Sequence, residues 1–127
     1  MRVPEDLRYH PEHTWVRVQG GEATVGITDH AQKELGDIVF LELPGVGRHL
    51  SPGEVFGSVE SAKSVSELYS PVAGEVVEVN AQLEDSPERI NDDPYGEGWM
   101  LRVRLAPGFD VSGLLSPEAY VAHVGGG

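Results

Sequence analysis

The 127-residue chain contains no cysteine. That absence excludes disulfides, thiolate zinc sites, thiol nucleophiles and Cys-x-x-Cys redox pairs. Lysine is nearly as scarce, with Lys33 and Lys63 standing against seven arginines. No run approaches the roughly 18 apolar residues of a membrane span. The acidic opening "MRVPEDLRYHPEH" has neither the apolar stretch of a secretory signal nor the character of a transit peptide, so a cytoplasmic protein is expected. Positive charge is also short: 9 basic against 21 acidic side chains give a net charge of −12. Such a field repels phosphate backbones and makes nucleic acid a poor partner. The charge fits two readings, plain solubility or partners with basic docking surfaces, and charge alone does not choose between them.

What is present reads as β-rich. Sixteen glycines and nine prolines punctuate the chain with turns. "HTWVRV" and "EATVGI" alternate as strands around Gln19-Gly20-Gly21, a hairpin. Thr28 is the expected N-cap of a short helix in "TDHAQKELG", with Gly36 as its stop. The apolar run "DIVFLEL" ends at Pro44-Gly45. "SPGEVFGSVE" (51–60) and "SPVAGEVVEVN" (70–80) resemble each other. They are either coincident turn-then-strand segments or a twofold repeat whose strands flank Lys63 on both sides. "AQLEDSPERIN" predicts a helical turn and loop, and "WMLRVRL" a half-buried strand with a charged face. A short C-terminal helix begins at Ser116-Pro117, and the final "GGG" is expected to fray. The expectation is a single domain over 1–127, with a hairpin core at about 37–80 and a C-terminal strand and helix at about 98–124.

Few residues offer chemistry. The five histidines, His10, His13, His30, His49 and His123, include "HPEH", but Pro11 opposes a helix that would set two of them on one face. A zinc site needs three or four convergent ligands, so surface or structural roles are expected and no metal. "GVGRHL" lacks the third glycine and the strand–helix context of a dinucleotide fingerprint, and no Gly-x-Ser-x-Gly elbow exists. The carboxylates, spread over turns and strand faces, read as solvated surface. Lys63 remains, in "GSVESAKSVSELYS". An ordinary lysine amine is only about 0.04% neutral at pH 7. A lysine nucleophile therefore needs burial or a cationic neighbour, and this segment supplies only Glu60 and Glu67. Two readings stay open: a solvated surface lysine, or one presented among small residues (Ser61, Ala62, Ser64) for modification by another enzyme.

Several segments together carry a family resemblance. "LRYHPEHTWV", "VGITDHAQKELGDIVFLELPGVG", "GSVESAKSVSELYSPVAGEVVEVN" and "INDDPYGEGWM" make the chain resemble the H proteins of the glycine cleavage system over nearly its full length. The resemblance implies a mainly β, antiparallel, lipoyl-domain-like flattened sandwich of two small sheets, with a lysine-bearing hairpin and short helices. It implies a non-catalytic carrier with lipoate in amide linkage to Lys63, so that the sulfur chemistry missing from the chain belongs to the cofactor. Gly47, Glu60, Glu67 and Gly74 fall on positions tied to recognition by the lipoylating enzyme, the two glycines as turn residues that set how the hairpin is presented. Glu12 and Glu67, with Ile27 as an apolar wall, are nominated to meet the loaded arm in a surface cleft.

The implied partners are a pyridoxal-phosphate glycine decarboxylase, a tetrahydrofolate-dependent aminomethyltransferase, a flavin-dependent dihydrolipoamide dehydrogenase, and a lipoate ligase or lipoyl transferase. A monomer is expected. Two departures stand out: Thr14 where the family usually has Glu, and Ser61-Ala62-Lys63-Ser64 where Ser-Val-Lys-Ala is commoner. The competing readings are a lipoyl or biotinyl domain of another multienzyme complex, a lipoyl-relay protein, an acidic structural protein, or a small lyase. Biotinyl lysines usually lie between methionines, and Met1 and Met100 are both remote from Lys63.

Overall fold

Residues 2–125 are described by the computed structural model. The alternating segments pair as expected: β2 (Thr14–Gln19) and β3 (Glu22–Ile27) run antiparallel from Thr14↔Ile27 to Gln19↔Glu22, around Gly20-Gly21. β1 (Arg8–Tyr9) adds to the outer side of this hairpin. Beyond β3 lie β9 (Leu101–Leu105), β8 (Gly74–Val79) and β5 (His49–Leu50), so the larger sheet has the order β1-β2-β3-β9-β8-β5. The smaller sheet is β4 (Ile38–Glu42), β6 (Val55–Ser61) and β7 (Val65–Tyr69), with β6 central. Every pairing in both sheets is antiparallel.

The sheets enclose one main core. Val25, Val76, Leu101 and Val103 from the larger sheet meet Leu41, Phe56, Val59 and Leu68 from the smaller. Each fully buried side chain of this kind contributes about 1.5–3 kcal/mol. The charged face of β9 is satisfied across strands, Arg102 by Glu78 and Arg104 by Glu75. A second, aromatic cluster gathers Leu7, Tyr9, Trp15, Tyr95 and Tyr120 near the N-terminal hairpin.

The helices are short. In α1 (Asp29–Leu35), Thr28 Oγ1 accepts the Ala31 N–H, and Gly36 closes the helix at φ +80°, where L side chains are strained. "AQLEDSPERIN" forms two single-turn helices, α2 (Gln82–Asp85) and α3 (Arg89–Asp92). In α4 (Pro117–Gly125) the Ala119 N–H bonds Ser116 Oγ at 3.2 Å. Of the three terminal glycines expected to fray, Gly125 is the last residue of α4, and Gly126 and Gly127 lie outside the described residues. No helix among the described residues is long and apolar enough to cross a membrane.

The expectation that strands of both similar segments flank Lys63 is corrected. The strands of the two similar segments, β6 and β8, belong to different sheets. The strand that leaves Lys63 is β7, outside either copy.

Candidate functional site: a lysine turn beside a cleft

β6 and β7 are joined by Ala62-Lys63-Ser64, all three exposed. The residue that shapes this turn is Ser61, which is 5% exposed. Its backbone N–H bonds the Ser64 carbonyl at 2.8 Å. Its hydroxyl oxygen accepts the N–H groups of Lys63 (3.3 Å) and Ser64 (3.1 Å). A small hydroxyl residue is needed here because it satisfies the turn amides without filling the space above them. Among the described residues Lys63 has no ion pair, whereas Lys33 is held by Asp29 at 3.5 Å. The Lys63 stem passes the end of α1, where a Cβ at Gly36 would stand 3.3 Å from its Cε.

The turn is backed by the link between α1 and β4. The Ala62 N–H donates to the Asp37 carbonyl. On either side of Asp37, Asn91 clamps the backbone: its Oδ1 accepts the Ile38 N–H at 2.9 Å, and its Nδ2 donates to the Gly36 carbonyl at 2.9 Å. From the same segment the Tyr95 hydroxyl accepts the Asp29 N–H at 2.9 Å, and the Pro94 carbonyl accepts Trp15 Nε1–H at 3.0 Å. Three stretches that are distant in sequence thus converge behind one lysine. Asp29 is held below the usual carboxylate range: burial opposes this, but hydrogen bonds from the Arg2 N–H and Gln32, and Lys33 beside it, outweigh the burial.

Next to the hairpin opens a cleft of about 570 Å³, lined by Glu12, His13, Ile27, His30, Glu34 and Glu67 among others. Its floor is apolar, made by Ile27, Val59 and Leu68, each at most 3% exposed. Its rim mixes carboxylates with imidazoles. His13 sits at φ +74°, an uncommon conformation fixed by the tight turn in which its N–H bonds the His10 carbonyl. Its Nδ1 lies 2.8 Å from the Tyr120 hydroxyl, which lies 2.8 Å from Thr28 Oγ1. Burial pushes the Tyr120 hydroxyl up to about 12. His13 is pushed down, by burial first and then by His30 and His123, with ring centroids 4.9 Å and 6.0 Å away. His123 Nε2 must carry a hydrogen, since its partner at 3.0 Å is the Pro11 carbonyl. These histidines do not converge on a point, and no group of three ligands suited to a metal occurs among the described residues.

The nominated residues fall in three places. Glu12, Ile27 and Glu67 line the one cleft. Glu60 is exposed on β6, paired with Phe40 and Val65. Gly47 is in a turn at φ +98°. Gly74 is a different case: it is the first residue of β8, not a turn glycine, and a Cβ there would meet the Arg104 carbonyl oxygen at 2.2 Å. Its requirement is close packing of β8 on β9. Thr14 is buried and donates to the Tyr69 carbonyl at 2.9 Å, outside the cleft lining. Sequence reasoning missed Glu34, His13, His30 and His123 as cleft residues. Only the His30–Glu34 spacing on α1, now 3.9 Å apart, carried a local signal.

Comparison with known proteins resolves what this arrangement belongs to. The family model described as Glycine cleavage H-protein matches residues 7–125. The chain belongs to that family. It is 63% identical over 122 residues to the glycine cleavage system H protein of Rubrobacter xylanophilus, covering 96% of this chain and 94% of the relative. It is 55% identical over 118 residues to that of Carboxydothermus hydrogenoformans, covering 93% and 91%. The crystal structure of a glycine cleavage system H protein from Mycobacterium marinum superposes with a TM-score of 0.89 at 41% identity, covering 97% of this chain and 99% of that one. The mainly β, lipoyl-domain-like fold expected from sequence is therefore the fold observed. Family membership gives the chain its role: a non-catalytic lipoyl carrier of the glycine cleavage system, working with enzymes of that system. Proteins of the family carry lipoate covalently on a lysine.

Proposed function

We propose that Lys63 is that lysine, and that Glu12, Ile27 and Glu67 border the resting place of its loaded arm. One observation carries the reading: an exposed lysine, without an ion pair among the described residues, stands on a hydrogen-bonded three-residue turn beside a cleft with an apolar floor and an acidic rim. The residues present fit the group. Lys63 is exposed between the small residues Ala62 and Ser64, and amide formation removes a charge on which no ion pair among the described residues depends. Lipoate supplies reversible dithiol chemistry and accepts a one-carbon amine. The chain itself contributes presentation and storage. Ser61 and Asn91 hold the turn, Ile27, Val59 and Leu68 offer apolar contact, and Glu12, Glu34 and Glu67 offer negative charge to a cationic cargo.

On this reading Glu60, Glu67 and the turn at Gly47 are read by the lipoate ligase or lipoyl transferase. The partners are the glycine decarboxylase, the aminomethyltransferase and the dihydrolipoamide dehydrogenase. The carrier works as a single cytoplasmic domain, and as a monomer.

Intact-mass measurement after treatment with an active lipoate ligase and lipoate tests the assignment. One lipoyl unit is expected on the wild type and none on Lys63→Ala. A lipoyl unit on Lys63→Ala would move the site to Lys33 and end the proposal. Glu12→Gln with Glu67→Gln is expected to speed hydrolysis of the loaded intermediate, and an unchanged hydrolysis rate would remove both residues from the cleft assignment.

A further inference from the structure

The smaller sheet has an outer face that meets the cleft only at Glu67. Residues paired directly across antiparallel strands point to the same side. Phe40, Glu60 and Val65 therefore form one row, and Glu42, Ser58 and Glu67 the next. Phe40 is 54% exposed and Val65 65% exposed. A register shift between Ile38 and Phe40 adds Val39, which is 53% exposed, while Ile38 and Leu41 stay buried. These three are half of the six large exposed hydrophobics among the described residues. β4 is moreover an edge strand, where proteins ordinarily place charge or proline to avoid sticking. An apolar patch kept on an edge marks an interaction site. The Phe40–Glu60–Val65 row is one pairing short of Ser61, at the foot of the Lys63 turn. Anything that closes over Lys63 reaches this face.

Charge decides what covers it. Glu42, Glu60 and Glu67 frame the apolar residues, and Arg48, which shares a groove with Glu42, Ser58 and Glu67, is already paired with Glu54 at 3.0 Å, so the face stays net negative. A second copy docking about a twofold axis would set these carboxylates against themselves, a repulsion added to that of two chains of charge −12. A surface with an apolar pocket rimmed by Arg and Lys is complementary in both respects.

We propose that this face, with Phe40 as its anchor, is the docking surface for the enzymes that act on the arm, each presenting an apolar pocket with a basic rim beside its active-site entrance. The proposal rests on the reading of Lys63 as the arm's attachment point.

The test uses the full chain, lipoylated to completion by intact mass, as substrate for a dihydrolipoamide dehydrogenase. Phe40→Ser is expected to raise KM for the carrier by about tenfold with kcat unchanged, as loss of an aromatic anchor does. Val65→Ser should move KM in the same direction. Turnover of free lipoamide by the same enzyme should be unaffected by adding either variant, and thermal melting should be unchanged because both positions are exposed. Glu42→Gln should flatten the fall of kcat/KM with rising salt. A fully lipoylated Phe40→Ser with KM within about twofold of wild type overturns the docking surface and leaves the carrier reading standing. A wild type that takes no lipoyl unit at Lys63 overturns both. Sedimentation that shows a dimer broken by Phe40→Ser gives the face to a second copy and likewise overturns the proposal.

Discussion

The lysine turn and the cleft beside it share β7 and are held by different means. In the turn, one buried hydroxyl and a set of backbone bonds fix the main chain, and the side chains stand free. In the cleft, side chains from the β1–β2 connection, β3, α1, the smaller sheet and α4 meet, and a hydrogen-bonded run from Thr28 through Tyr120 to His13 ties one wall together. Under the proposed function the difference follows from two demands. A group that partners must reach is best fixed through its backbone, leaving the side chain open. A surface that must hold a cargo needs its side chains themselves fixed.

Three experiments press on this contrast. The largest effect is expected from Asn91→Ala, which removes the clamp on both sides of Asp37. It leaves the amide of buried Ile38 and the Gly36 carbonyl without their partner. Urea unfolding should show a loss of about 2–3 kcal/mol. Losing less than about 0.5 kcal/mol would mean the turn needs no backing from the α1–β4 link. Tyr120→Phe comes next, with a loss of about 1–2 kcal/mol, because it strips a partner from Thr28 and from His13 at once. Its NMR shift changes should be confined to His13, His30 and their neighbours. Changes of equal size at Ala62–Ser64 would show that turn and cleft are one unit.

The smallest effect is on pH dependence. His13 has a folded pKa below the ordinary value near 6.5, so the unfolded chain takes up the proton first. Its contribution to stability is complete above that value and is lost as pH falls below it. His10, also pushed down by burial, acts in the same sense. Unfolding free energy should therefore decline from pH 7 toward pH 5.5, and His13→Gln should make the decline shallower. An unchanged slope would place the sensitivity elsewhere.

The same contrast governs what could be read from the sequence. The lysine turn lies within fourteen consecutive residues, so small-residue turn chemistry and flanking alternation marked it out locally. Thr28 and Gly36 were legible for the same reason, as local backbone punctuation. The cleft is assembled across the fold, and no local pattern joins Glu12 to Glu34 or His13 to His123. Glu12, Ile27 and Glu67 were nominated through the family resemblance, and the histidines were passed over because their proximity is tertiary. Gly74 shows a related blind spot: a glycine required by a neighbouring strand's carbonyl looks in sequence like a glycine required by a turn. β1 and β5, two residues each, are too short for any alternation to show.

Glu67 lies on β7, an edge strand, and borders both the cleft and the outer face of the smaller sheet. A substitution there is pleiotropic by position, because one codon serves two surfaces and a change at it reports their sum. Glu12 borders the cleft alone and Glu42 the outer face alone, so substitutions at those two positions separate the contributions that position 67 mixes.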